Sequence, residues 1–205
     1  MDKITALHLL VKSMEVILAS ASPRRKVVLE ELGFDTVQHP MDGIDERPPS
    51  GVDVKSQVES ICRRKAEGFK SHQEHIVVVA DTMIEHPHDV LQSIGKPIDR
   101  NHANEILLIL SNQNHKVWTV TGVNVYGEWK FFIDYSVVFI PHLEPATLEA
   151  LLDSGSWIGK AGAYDLQGKM GEYAELKEGH ESTVLGISSS AIDYLYTVFK
   201  KTIEE

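Results

Sequence analysis

The residues that invite chemistry in this chain begin with Ser20-Ala21-Ser22-Pro23-Arg24-Arg25, directly after the short apolar run Val16 to Ala19. Ser22 suits a helix N-cap, where a hydroxyl can accept from an orphan N–H of the first turn. Pro23 then falls at the first helical position, where its missing N–H costs nothing. Free backbone N–H groups, the positive end of a helix and two guanidinium groups would meet at the end of a strand. That combination suits polyphosphate. The plainer alternative is a capped helix carrying two solvated arginines. Further along, Asp81 follows the apolar run Ile76 to Ala80, placed to orient or deprotonate a water beyond the end of a strand. Lys65 lies inside an apolar helical stripe, where it must either snorkel out or meet a negative partner such as phosphate. Asp45 and Glu46 stand in a loop; beside phosphate such acids hold a divalent cation or a water, and otherwise they are a solvated acidic loop. Lys96 is fixed in the turn Gly95-Lys96-Pro97, and Gln167 offers both a donor and an acceptor to a base edge.

The elements that must position these groups read as alternating strands and helices. Val16 to Ala19 is a buried strand. The helix opened by Ser22 runs to about Leu32, with Gly33 as a left-handed cap, and Phe34 to His39 forms a strand beside the first. Residues 41–51 are a loop by their turn chemistry. A helix from Asp53 to Phe69 carries the stripe Val54, Val58, Ile61, Cys62, Ala66 and Phe69. Ile76 to Ala80 is the clearest buried strand. Asp99 caps a helix to Leu110, with Ala103, Ile106, Leu107 and Leu110 inward. His115 to Tyr126 and Trp129 to Phe139 read as two long strands joined by a hairpin at Tyr126-Gly127-Glu128. Glu144-Pro145 starts a helix ending near Ser154-Gly155. Ser188 to Ser190 cap a last one, with Ile192, Leu195, Tyr196 and Phe199 inward. The glycines between Gly159 and Gly168 do not form a dinucleotide fingerprint; they suggest close approach of backbone to a ligand or another strand.

The chain has 205 residues, 42% of them apolar, which fits one domain or a two-lobed one. No apolar run approaches the length of a membrane span, so no membrane partner is expected. The formal net charge is −10, which argues against non-specific nucleic-acid binding. Any triphosphate site must overcome that charge with clustered Arg and Lys. The single cysteine, Cys62, allows no intrachain disulfide and suits a reducing, cytoplasmic setting. It reads as a small buried hydrophobe rather than a nucleophile. His72, His75, His86 and His88 flank the third strand in polar, loop-like surroundings, without carboxylate or thiolate partners at zinc-site spacing. Residues 1–14 read as an extension without an assigned role, ahead of a domain spanning 15–205.

The first motif resembles the opening signature of the Maf family of nucleoside triphosphate pyrophosphatases. Further matches follow in the family's order: Asp45-Glu46, Lys65-Ala66, Ala80-Asp81-Thr82, Gly95-Lys96-Pro97, Thr121-Gly122-Val123, and Lys160-Ala161-Gly162-Ala163-Tyr164 leading to Gln167-Gly168. The resemblance implies an α/β fold of the ITPase-like kind: a long mixed sheet flanked by helices, with two lobes and a central cleft. It implies hydrolysis of a nucleoside triphosphate to monophosphate and pyrophosphate with a divalent cation (Mg, Mn or Co). Asp81 would be the proton acceptor for the attacking water, with Glu46 and Asp81 toward the metal. Ser22, Arg24, Arg25, Lys65 and Lys96 would hold the triphosphate, and Arg24, Thr82 and Gln167 would select the base. The second Arg after Ser-Pro, Ala-Asp-Thr and Gln-Gly resemble the branch acting on dTTP and UTP. Alternatives are a pyrophosphatase for modified purines such as 7-methyl-GTP, or a nucleotide-binding regulator of cell division without turnover. Homodimers occur in the family, although no residue here marks one. Two departures fall at the cleft edge and the last helix start: a stretch from His115 to Thr121 two residues longer than usual, and Thr183-Val184-Leu185-Gly186-Ile187-Ser188 in place of Asn-Val-Val-Gly-Leu-Pro.

Overall fold

The computed structural model describes residues 15–70 and 75–204. The extension at 1–14, and His72 among the histidines above, lie outside them. The fold is a mixed seven-stranded sheet with helices packed against it, as the α/β reading expects. It opens with β1 (Glu15–Leu18), α1 (Pro23–Glu31) and β2 (Asp35–Gln38), the two strands parallel. Gly33, at φ 88°, ends α1: its N–H donates to Glu30 and that of Phe34 donates to Leu29. Ser22 occupies the N-cap position but makes no side-chain cap bond. The hydroxyl that organises this turn is Ser20, whose Oγ accepts from the Ser22 N–H at 3.2 Å.

Next come α2 (Val54–Gly68), capped by Asp53, then the hairpin β3 (Ile76–His86) and β4 (Asp89–Ile94), then α3 (Arg100–Leu110), capped by Asp99. The expected inward face of α3 is buried, as are Val54, Val58, Ile61, Cys62 and Ala66 of α2; Phe69 instead caps that helix and is half-buried. The two long strands are β5 (Gln113–Val125) and β6 (Glu128–Ile140). Tyr126 and Gly127, both at positive φ, join them in the two-residue turn that matches strand twist. The chain ends with α4 (Pro145–Asp153), β7 (Glu175–Glu178), the single turn α5 (Glu181–Leu185) and α6 (Ser189–Glu204). Tyr196 departs from the inward face expected of α6: it is 39% exposed, with its ring 5.0 Å from Phe34 and its hydroxyl donating to the Leu32 carbonyl. A phenol at the core edge keeps its polar end reachable.

Sheet order is β2-β1-β3-β5-β6-β7, with β4 also on β3. The expectation that β3 ends at Ala80 is corrected by this pairing. β5 accompanies β3 without a break from Val77 to Ile84, so the strand continues through Asp81 and Thr82. His86 is therefore a strand residue and His88 belongs to the β3–β4 turn, not to a loop flanking the strand. On the other edge of β3, β1 pairs only as far as Val78, and β4 begins only at Ile84. Residues 79–83 thus have a strand neighbour on one side only. The sheet carries a notch there.

Strand alternation then assigns the two faces. Val77 and Val79 pack with Val58, Cys62 and Ala66 of α2. Ile76, Val78 and Ala80 pack with Leu29 of α1 and Leu195 of α6. Further along β3, Ile84 joins a third cluster with Leu107 of α3 and Leu151 of α4.

Candidate active site

At the notch, consecutive residues of β3 point to opposite faces. Asp81 faces α2, where Lys65 waits in the apolar stripe. Lys65 does not snorkel out: it is 8% exposed, and its Nζ lies 2.7 Å from Asp81 Oδ1 and 3.0 Å from Glu46 Oε1. Glu46 comes from the 41–51 loop, and that loop is fastened to α2 by charge. Arg64 donates to the Arg47 carbonyl at 2.7 Å and reaches Asp45 at 3.5 Å, while Arg47 grips the same Asp45. Those bonds hold the Asp45 carboxyl below its ordinary range. Gly68 completes the joint, because a Cβ there would collide with the Ile44 side chain of the loop. Cys62, one turn before Lys65 on the same helix, is buried; burial first and the Asp81 charge second push its thiol up to about 12. It is therefore no thiolate near neutrality.

Thr82 faces the other way, toward α1 and α5. There Arg25 spreads its fork over three neutral acceptors: Nε donates to the Gly186 carbonyl at 2.9 Å, Nη1 to Ser20 Oγ at 3.1 Å and Nη2 to Thr82 Oγ1 at 3.1 Å. Burial pulls the Arg25 pKa down and Asp81 opposes that shift; arginine stays protonated regardless. Gly186 sits at φ 105°, and a Cβ there would press on Arg25 Nε, so a glycine is needed at this contact. Behind Thr82, Thr119 Oγ1 donates its single proton to the Thr183 carbonyl at 2.7 Å. The 2.9 Å bond between Thr82 and Thr119 must then take its proton from Thr82. Thr82 consequently offers a ligand a lone pair and no proton.

These groups line one cleft of about 840 Å³, within the range of small-molecule sites. Its walls carry Arg24, Arg25, Lys65, Lys96 and Lys160 against only two carboxylates, Glu46 and Asp81, in a chain of net charge −10. Ser22 and Thr82 also line it. Arg24 and Lys160 share a third carboxylate, Asp165. A narrow recess of about 20 Å³ opens beside Arg24, Thr82 and Ala161, walled by Ile84, Val117, Tyr164 and Leu166. Gln167 lines neither cavity. It is exposed, with its amide 3.4 Å from the Glu181 carboxylate of α5. Eight of the nine singled-out side chains thus converge, and Gln167 stands apart. Sequence reasoning missed Ser20, Lys160 and Asp165. Ser20 and Lys160 stood inside recognised motifs, and the acid Asp165 falls two residues before Gln167.

Among the described residues, no three or more His, Cys, Asp or Glu gather as a metal cluster. Asp81 and Glu46 nevertheless converge on one ammonium. Magnesium sites commonly take one or two carboxylates, with substrate phosphate completing the shell. The pair fits a divalent cation on that condition. The arrangement can therefore bind a polyphosphate between two cationic walls and present a carboxylate to a water at its edge.

The model of a family described as Maf-like protein matches residues 15–197. The dTTP/UTP pyrophosphatase of Dechloromonas aromatica (strain RCB) is 35% identical over 188 residues, covering 85% of this chain and 92% of that protein. The dTTP/UTP pyrophosphatase of Bartonella henselae is 32% identical over 203 residues, covering 92% and 86%. Among solved structures, a nucleoside-triphosphatase/dITP/XTP pyrophosphatase from Mycobacterium abscessus overlaps with a TM-score of 0.37 at 15% identity, over 62% of this chain and 74% of that one. That overlap is too loose to carry an argument.

Proposed function

The chain belongs to the Maf-like protein family, and from that premise we propose that it hydrolyses nucleoside triphosphates, dTTP and UTP foremost, to the monophosphate and pyrophosphate. The observation that carries the reading is the notch, where a carboxylate held by Lys65 at 2.7 Å lies in the same cleft as the Arg25 guanidinium, which has no carboxylate partner among the described residues. Arg25, with Arg24 and Lys96, would neutralise the triphosphate. Asp81 would orient a water toward the α-phosphorus and take its proton. Lys65 fixes the Asp81 carboxylate in position, and Glu46 keeps Lys65 in place. A divalent cation would be held by Asp81, Glu46 and substrate oxygens, and it would supply charge neutralisation at the phosphates. A pure binder would need no water-activating carboxylate in the notch.

Base choice follows from the proton count at Thr82. A lone pair can accept the N3–H of uracil or thymine, which cytosine lacks. Arg24 and Thr82 border the recess, and Gln167 would reach the base from the rim after releasing Glu181. A site built on such bonds disfavours a base that leaves them unmade by about 1–3 kcal/mol each. UTP should thus outrun CTP and dATP, whose rings lack that proton; that dTTP and UTP also outrun GTP and 7-methyl-GTP, which carry an N1–H, rests on the likeness to the dTTP/UTP pyrophosphatases. The single buried cysteine fits a cytoplasmic setting. One two-lobed domain over residues 15–205 and a homodimer belong to the same reading; a mass measurement in solution checks the second.

The test is a nucleotide panel with magnesium, manganese or cobalt in ¹⁸O water. Label should enter the monophosphate, and Asp81→Asn should lower kcat by about 10²–10⁴ while still binding nucleotide. Label confined to orthophosphate would make the protein a phosphatase. If 7-methyl-GTP leads the panel, the base assignment fails and the reaction class stands.

A further inference from the structure

The far wall of the cleft holds a second charge arrangement, of which the chemistry above uses Arg24 and Lys96 but neither Lys160 nor Asp165. The loop after α4 docks on the β4–α3 connection through one backbone bond, from the Gly162 N–H to the Gly95 carbonyl at 3.1 Å. This brings Lys160 and Lys96 to the same cavity, with Arg24 opposite. Like charges repel, and among the described residues one carboxylate answers two of the three. Asp165 Oδ2 lies 2.6 Å from Lys160 Nζ, and its Oδ1 lies 3.9 Å from Arg24 Nη1. Among the described residues Lys96 has no carboxylate at all. Asp165 is itself only 14% exposed at its side chain, against 25% for Lys160 and 32% for Arg24.

We propose that Lys160 is a phosphate-binding residue of this site, and that Asp165 is the counter-carboxylate that holds Lys160 and Arg24 while the cleft is empty and reclaims them as pyrophosphate leaves. The proposal rests on the pyrophosphatase reading and deepens it. Its alternative is a structural turn: Asp165 Oδ1 accepts the Gln167 N–H at 3.2 Å, and the Gly168 N–H returns to the Asp165 carbonyl at 3.1 Å. Such a turn explains Oδ1. It does not explain why Oδ2 is given to a cleft lysine, nor why an arginine of α1 closes on the same group. On binding, phosphate oxygens take the place of Asp165 at Lys160 and Arg24, so each cation exchanges one anionic partner for another. After cleavage the carboxylate remains beside the leaving anion, and repulsion favours release. Asp165 acts through Lys160 and Arg24, so it is a positioning residue, while Lys160 touches the substrate.

Asp165→Asn separates the two accounts, because the amide oxygen keeps the turn bond while the charge and the acceptor facing Lys160 are lost. The probe is inorganic pyrophosphate, titrated by calorimetry into the full chain. Asp165→Asn should bind it about tenfold more tightly and show matching product inhibition with a lower kcat. Lys160→Gln, at a more exposed side chain, should bind it about tenfold more weakly. In the Lys160→Gln background the gain from Asp165→Asn should shrink several-fold. Pyrophosphate affinities within twofold of wild type in both single variants would overturn the proposal, as would failure of the wild type to bind pyrophosphate. If Asp165→Asn does not fold, an unchanged affinity in Lys160→Gln alone is enough to overturn it. Shifted affinities in a protein that cleaves no triphosphate would sink the pyrophosphatase reading and leave this anion site standing; cleavage with unshifted affinities does the reverse.

Discussion

His115 is 2% exposed, and its Nε2 meets the Tyr164 hydroxyl at 2.8 Å while Nδ1 has no hydrogen-bond partner among the described residues. Burial depresses its pKa from 6.5 to about 4. Because the folded value lies below the unfolded one, the unfolded chain binds the extra proton first as pH falls. Stability is therefore full above pH 6.5 and is lost progressively down to pH 4, by about 3 kcal/mol in all. Denaturant unfolding of His115→Gln across that range should show a flatter pH profile by about that amount; an unchanged profile would mean another group dominates. At this scale the sequence was partly legible. Lys65 could be singled out because a lysine inside an apolar stripe contradicts its surroundings. Asp81 stood out after five apolar residues. Ser20 and Asp165 could not be singled out, since a loop hydroxyl or turn acid looks the same whether it grips an arginine or water. Thr82 was recognised as a site residue, but its proton count depends on Thr119 and Thr183, and no local pattern carries that.

Helix α6 is started by a strand. Asp134 of β6 accepts from Ser188 Oγ at 2.5 Å, from Ser190 N and Oγ at 2.9 Å each, and from Ser189 Oγ at 3.2 Å. Burial raises its pKa, but the bonds from Ser188, Ser190 and Ser189 outweigh it and leave the carboxyl below its usual value. That contribution is present above the ordinary carboxylate range and is lost as pH falls through the lowered value. Asp134→Ala should lower the unfolding free energy by about 1.5–3 kcal/mol, the scale for bonds to a charged group. Hydrogen exchange should quicken in the first turn of α6 before it does in β6; equal protection in the variant would argue that the serines cap the helix unaided. The serine run was readable as a helix start, whereas its partner on β6 was not. The strongly periodic helices were readable throughout. β4 and β7 were not, because β4 is mostly exposed and β7 is Glu-Leu-Lys-Glu, with no apolar alternation to read. The length of β3 escapes the sequence for a related reason: only the pairing with β5 carries it through residues 81–83, and β4 joins from Ile84.

At the scale of the molecule, the notch lies where parallel pairing with β1 gives way to antiparallel pairing alone. Ligands seated there touch the β1–α1 turn, α2, β3, the end of β4 and the loop after α4 together. A bound anion would therefore tie together segments far apart in sequence and bind only the folded chain. Pyrophosphate at a hundred times its dissociation constant should add about 2.7 kcal/mol. For a chain of this size that corresponds to a rise in Tm of about 5–10 °C. Arg25→Gln should lose most of that rise, and thermal melts with and without pyrophosphate measure it. A full shift in the variant would place the anion elsewhere. The family fold and its order of motifs were visible in the sequence, but the notch was not, because it is made by two strands that stop short on one edge of a third.

Arg25 is already pinned by the Gly186 carbonyl, Ser20 and Thr82. A free arginine side chain carries about 2 kcal/mol of rotamer entropy. Here that freedom is surrendered when the chain folds, so a phosphate bound there would not need to immobilise the residue. Lysine at position 25 would keep the charge, yet one ammonium cannot span three acceptors set around a planar fork. It would enter the complex still mobile, and calorimetry would register the difference as a less favourable binding entropy rather than as a missing charge.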